Sequence, residues 1–301
     1  MFSRPFPFVL GLTLSGVAGC AAQPPALAID QAGLAGEQAL QIPVADAAGG
    51  QHLLRARLCR PAASGAPTWL VSINHGSPPD AAARPGMQLG RCDSEAARWF
   101  TSRGYAVVFA LRRGYGATGG AWAEDFGGCP LADYGRAGLE TARDISAVVD
   151  YATALPGIRP DGAVVVGQSA GGWGAIAYDS VPHPKVAAFV VMAGGRGGHV
   201  DGVPNRNCRP ERLAEAAGRY GTTASTPMLW IYAANDSYFA PSIATAMHQA
   251  FTTAGGKAEL VLPEPYDGDG HRLFFGPGGS AIWGPVVERY LAQRGAGVPA
   301  D

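Results

Sequence analysis

Eight short, nearly unbroken apolar runs punctuate the chain, at residues 39–44, 52–58, 69–73, 106–110, 163–166, 187–192, 228–232 and 259–262. The first two are joined by Ala47-Ala48-Gly49-Gly50 and predict an antiparallel hairpin. The other six are too short for buried helices and show no apolar-polar alternation, so they predict strands covered on both faces, as in a parallel sheet. Between the runs, apolar residues recur three or four positions apart: Leu139, Ala142, Ile145, Val149 and Ala152, then Ile243, Met247, Ala250 and Phe251, then Ile282, Val286 and Tyr290. That spacing predicts helices laying one face on the sheet. A leading hairpin followed by alternating strand and helix predicts an α/β fold, a mostly parallel central sheet with helices on both faces. No repeat or second-domain boundary interrupts residues 36–301, which read as one domain.

One connection is long. About 30 residues separate the run ending near Ala193 from the one beginning near Pro227, where typical loops need only a few. They hold one short helical stretch, 210–218, among glycines and polar residues. Residues 196–226 are therefore expected to form a small lid.

The first residues follow another pattern. Arg4 precedes an apolar stretch at 8–17 that is shorter than the roughly 20 residues of a spanning helix. The stretch closes on Val17-Ala18-Gly19-Cys20, which resembles a bacterial lipobox. Residues 1–19 are then a signal peptide, Cys20 becomes the lipidated N-terminus, and residues 20–35 form a tether. An ordinary secretory signal cut after Ala22 is the alternative. Both imply export, and the lipobox implies a membrane-anchored lipoprotein. Ala21 and Ala22, with no aspartate after the cysteine, favour the outer membrane if the source is Gram-negative.

Composition narrows the function classes. A chain of 301 residues that is 47% hydrophobic buries a large core. Its net charge of -1 and scattered basic residues give no footprint for nucleic acid. Of the five cysteines, Cys59, Cys92, Cys129 and Cys208 remain after Cys20. In an oxidising compartment four cysteines allow two disulfides in any of three connectivities; free buried thiols are the alternative, notably for Cys59. Cys129 and Cys208 are the favoured pair, one after the fourth strand and one in the expected lid. No spacing suits a zinc site, and no metal or organic cofactor is expected. Oligomeric state is not legible.

The chemistry centres on Gly167-Gln168-Ser169-Ala170-Gly171, where a β run turns into a helix. A nucleophile held on so sharp a turn requires residues without side chains two before and two after it. Ser169 is the candidate nucleophile, and the Ala170 amide, at the helix start, is a candidate donor to a developing oxyanion. Upstream, the run at 69–73 ends in Asn74-His75-Gly76-Ser77, whose Ser77 amide is the second candidate donor. Asp236, just beyond the run at 228–232, is the candidate acid. Asp267 and Asp269 stand close to His271 but in a glycine-flanked loop, and are set aside for this role. His271 follows the last run and is the candidate base. His52 falls in the hairpin, His183 between prolines, His199 in the expected lid and His248 in a helix.

These motifs, with the Arg113-Gly114-Tyr115-Gly116 turn, resemble the α/β-hydrolase superfamily over roughly residues 39–292, and within it the dienelactone-hydrolase-like and prolyl-oligopeptidase-like esterases. The resemblance implies the chain order serine, acid, histidine, which fits Ser169, Asp236 and His271 and argues against His75 as base. Dienelactone hydrolases proper use a cysteine nucleophile; Ser169 in its place argues for a serine esterase acting on a small-molecule ester, with short acyl groups favoured by a small lid. Peptidase relatives with the same triad carry a large gating domain that this sequence does not show, and a catalytically inactive surface binding protein is the reading from another class.

Overall fold

The computed structural model describes residues 1–2, 36–62 and 66–297, so the expectations for Cys20, nearly all of the signal peptide and the whole tether lie outside the described residues. Eight strands form one sheet in the order β1-β2-β4-β3-β5-β6-β7-β8. β1 (Glu37–Ala45) and β2 (Gln51–Cys59) make the antiparallel hairpin, and β2 also runs antiparallel to β4 (Ala106–Leu111). The remaining neighbours are parallel: β3 (Thr68–Asn74), β5 (Ile158–Gln168), β6 (Val186–Met192), β7 (Met228–Ile231) and β8 (Ala258–Val261). β4 is buried at every position, as its unbroken apolar sequence requires. β8 is different: as the edge strand it has no fully buried residue, and Leu262 just after it is exposed.

Helices cover both faces. On one lie α2 (Tyr134–Thr153), α3 (Ala170–Asp179), α4 (Pro210–Gly221) and α5 (Pro241–Thr253), packed over Val165, Phe189 and Trp230. On the other lie α1 (Glu95–Thr101) and α6 (Gly279–Gln293), packed over Val71, Val164 and Val190. Two residues counted in the helical stripes, Leu139 of α2 and Ile282 of α6, face solvent instead. The buried stripe of α2 runs through Thr141, Ala142, Ile145, Val148 and Ala152, so Leu139 sits beyond its edge.

The expected lid is corrected by the packing of α4. Leu213, Ala216, Ala217 and Tyr220 are buried against α5, α2 and α3, which makes α4 part of the helical layer. Its amphipathic sequence is satisfied by that layer. Of the connection between β6 and β7, Gly195, Arg196, Gly197 and Gly198, at the start of a strap that runs to 209, border the cleft over the sheet. A disulfide from Cys208 to Cys129 holds the strap's end beside the start of α2, and a second joins Cys59 at the end of β2 to Cys92 before α1. The alternative of a free thiol at Cys59 is therefore corrected.

Candidate active site

The carboxyl ends of β3, β5 and β7 and the loop after β8 converge on one cleft. β5 ends at Gln168, and Ser169 takes φ 53° and ψ −118° before α3 begins. This is a left-handed backbone on a residue with a side chain, and such strain persists only where the surroundings enforce it. They do. A Cβ on Gly167 would stand 2.2 Å from the Gly171 carbonyl oxygen, and one on Gly171 would stand 2.3 Å from that of Asn74. The Ser169 amide donates to Met192 O at 3.0 Å, while Ser169 O accepts from the amides of Trp173 at 2.9 Å and Gly195 at 3.1 Å. No side chain caps α3, which leaves the helix start, including the Ala170 amide, free to meet negative charge.

The loop after β3 passes directly over this turn: a Cβ on Gly76 would lie 3.0 Å from Ser169 Cβ. Ser77 thus lines the same cleft as Ser169. His75 is not placed as a base. Its Nδ1 donates to Gly76 O at 2.7 Å, and its Nε2 accepts from the Arg112 amide at 3.3 Å, an arrangement that fits one neutral tautomer. Burial and the neighbouring Arg112 charge push the imidazole down to about 3, against the opposing pull of Gly76 O. Arg112 Nη1 also donates to His75 O at 2.7 Å. The Arg112 guanidinium pairs with Glu124, which in turn pairs with Arg196, and all three side chains are buried. The loop that carries His75 and Ser77 is therefore braced from beneath by a buried ionic network.

Asp236 and His271 are brought together. His271 Nδ1 lies 3.1 Å from Asp236 Oδ1 and 3.2 Å from Oδ2. Asp236 is buried, and its Oδ1 accepts from the amides of Tyr238 at 2.8 Å and Phe239 at 2.9 Å, an Asx-type turn that points the carboxylate inward. The His271 backbone is held from two sides: its carbonyl accepts from Gln168 Nε2 at 3.1 Å, and its amide donates to Asp269 Oδ1 at 3.0 Å. Its ring stacks on Tyr238, centroids 4.1 Å apart, and Tyr238 stacks on His199 at 3.6 Å.

Asp269, set aside as the acid, has a part the sequence did not reveal. Besides the His271 amide, its carboxylate accepts from Ser237 N at 3.0 Å and Ser237 Oγ at 2.8 Å. It clips the His271 loop to the Asp236 loop. Burial works against its charge, but the His271 and Ser237 donors prevail and hold the carboxyl below its ordinary range. Asp267 is exposed by contrast. The pairing of loops 32 residues apart leaves no local signature; the Asp-Ser-Tyr-Phe run after β7 is the nearest hint.

Ser169 sits where two compartments meet. One, of about 400 Å³, is walled by Ile73, Met87, Phe109, Leu111 and Phe275 and includes His271. The other, of about 300 Å³, runs under the strap and is walled by Arg84, Trp122, Asp125, Arg196 and Phe239. Ser77, Ser169 and Tyr238 border both. Among the described residues no group of three or more His, Cys, Asp or Glu is arranged to hold a metal ion.

Residues 92–194 match the model of the prolyl oligopeptidase family, a stretch that includes Ser169 but neither Asp236 nor His271. No curated protein matches the chain. Among solved structures, the chain is similar to one from Klebsiella pneumoniae assigned as a dienelactone hydrolase, with 15% identity, a TM-score of 0.53, and coverage of 86% of this chain and 98% of that one. An esterase of Pyrococcus furiosus gives 14%, 0.54, 85% and 92%. An acylaminoacyl peptidase of Pyrococcus horikoshii gives 14%, 0.63, 88% and 42%, so this chain spans about two fifths of that peptidase. The fold is that of the α/β-hydrolases, and the family match, with serine, histidine and aspartate gathered on one cleft, supports a serine hydrolase.

Proposed function

We propose that the protein is a serine esterase in which Ser169 is the nucleophile, His271 the base and Asp236 the acid. The carrying observation is the approach of His271 Nδ1 to Asp236 at 3.1 Å on the cleft that holds the strained Ser169. Nδ1–H donates to the carboxylate, which leaves Nε2 to take the Ser169 proton as Oγ bonds to the ester carbonyl carbon. The carbonyl oxygen becomes an oxyanion facing the Ala170 and Ser77 amides; each such donor is typically worth about 3 kcal/mol in the transition state. Collapse breaks the bond to the alcohol oxygen, which receives its proton from His271. Water, deprotonated by His271, then attacks the acyl-enzyme and releases the acid and Ser169.

The ester reading is supported by the similarity to an esterase and to a structure assigned as a dienelactone hydrolase. The 300 Å³ compartment suits a short acyl group. The family match to prolyl oligopeptidases favours peptide cleavage as the second reading. Chromogenic esters assayed beside peptide anilides separate the two. Ser169→Ala is expected to lower ester turnover by about 10⁶ and abolish fluorophosphonate labelling with the melting curve unchanged; a mutant still labelled at that site would remove Ser169 from the mechanism.

The protein is further proposed to be exported and anchored to a membrane by lipid on Cys20. Two disulfides support an oxidising compartment. Cys20→Ala should move the protein from the membrane fraction to the soluble one.

A further inference from the structure

The compartment under the strap is walled by two guanidinium side chains, Arg84 and Arg196. Arg196 walls it and is only 4% exposed. Its Nη2 donates to Glu124 and Thr141 Oγ1, but its Nε is buried with no partner among the described residues. Arg84 walls the same space, its guanidinium 3.4 Å above the Trp122 ring, and its Nε is likewise buried without a partner there. The two Nε atoms have no surface in the compartment, so the rest of each guanidinium faces a ligand there, and guanidinium groups match the planar, two-oxygen geometry of a carboxylate. Asp125 is the acidic group in the same wall; it is exposed, and its Oδ1 is engaged by the Gly127 amide at 2.9 Å.

The proposed reaction fixes which part of a substrate reaches this space. The departing alcohol takes its proton from His271, and His271 walls only the apolar compartment of the two. The alcohol therefore leaves on the apolar side, and the acyl group bonded to Ser169 extends under the strap. We infer that the protein prefers monoesters of short dicarboxylic acids, the free carboxylate of the acyl group being received by Arg84 and Arg196 and the alcohol being apolar. This rests on the esterase reading and adds the substrate class to it.

The test uses monobutyl glutarate and its carboxamide analogue, in which the free carboxylate alone is replaced. The wild type should favour the carboxylate ester by about tenfold or more in kcat/KM, a difference one charge-assisted pair provides. Arg84→Gln, at a half-buried position outside the Glu124 network, should bring that ratio close to one; Arg196→Gln should do the same if it folds. A second arm needs no turnover: glutarate should slow fluorophosphonate labelling of Ser169 more than glutaramide does, and Arg84→Gln should remove the difference. Equal hydrolysis of the two esters, or equal protection by the two additives, overturns the carboxylate subsite while leaving the esterase reading in place. Absence of labelling at Ser169 overturns that reading, and the subsite with it.

Discussion

The two halves of the proposed catalytic cleft are held by different physics. Around Ser169 the constraint is backbone against backbone: Gly167, Gly171 and Gly172 leave no space for a Cβ within 3 Å of main-chain atoms, and sheet and helix lock the turn between them. Around His271 the constraint is a set of side-chain hydrogen bonds and ring contacts between two loops, through Asp236, Asp269, Ser237 and Tyr238. A site fixed by close packing fails all at once, because interiors are too dense to yield. One fixed by several polar contacts is expected to fail by degrees. The serine turn should therefore be intolerant of a single methyl, and the base loop should give graded losses.

Gly171→Ala breaks the first half of the contrast most severely. Its methyl has nowhere to go beside Asn74 O, so the expected outcome is loss of both activity and several kcal/mol of stability, read by thermal melting and active-site labelling. A well-folded, active variant would show that the turn yields. Asp236→Asn comes next: folding is kept, and turnover should fall by up to about 10⁴ because the amide no longer holds the working tautomer of His271. Measurement at saturating substrate, with labelling of Ser169 as control, decides it.

Asp269→Asn should cost about 10- to 100-fold, the scale on which groups that orient a functional histidine act, with Asp267→Asn close to wild type. Should the two prove equal, the clip between the loops has no part in catalysis.

A last effect, on stability and leaving the proposed triad untouched, concerns His75. His75 holds its ring neutral down to about 3, whereas an unfolded chain titrates it near 6.5. Between those values the unfolded state binds the extra proton, so stability from this group falls as pH falls, by at most about 1.4 kcal/mol per pH unit. His75→Gln should flatten the slope of stability against pH over that interval; an unaltered slope in denaturant titrations would mean that His75 does not resist protonation.

Most of the architecture was legible in the sequence because parallel strands carry unbroken apolar runs, and β4 is buried at all positions of such a run. The edge strand β8 reads the same in sequence yet lies half-open, since a run does not reveal how many neighbours it will have. The segment 210–218 was misjudged as part of a lid because its amphipathic face says only that something covers it, and the cover is α2, α3 and α5. In the site, chain punctuation singles out residues that the fold brings to one cleft: Ser169 by its glycines, Asp236 and His271 by their places after strands. The roles of Asp269, Tyr238 and Arg196 depend on loops meeting across the cleft, and no local spacing encodes them.

The disulfide between Cys129 and Cys208 also has a topological consequence. It closes the chain into a covalent ring that includes α2, β5, Ser169, α3 and β6 and excludes Asp236 and His271. The exposed stretch 201–206 lies inside that ring, so a protease that cuts there opens the ring without dividing the molecule. Such a nicked enzyme would keep its mass on a non-reducing gel and fall into two fragments only after reduction, with Ser169 and His271 then on separate pieces.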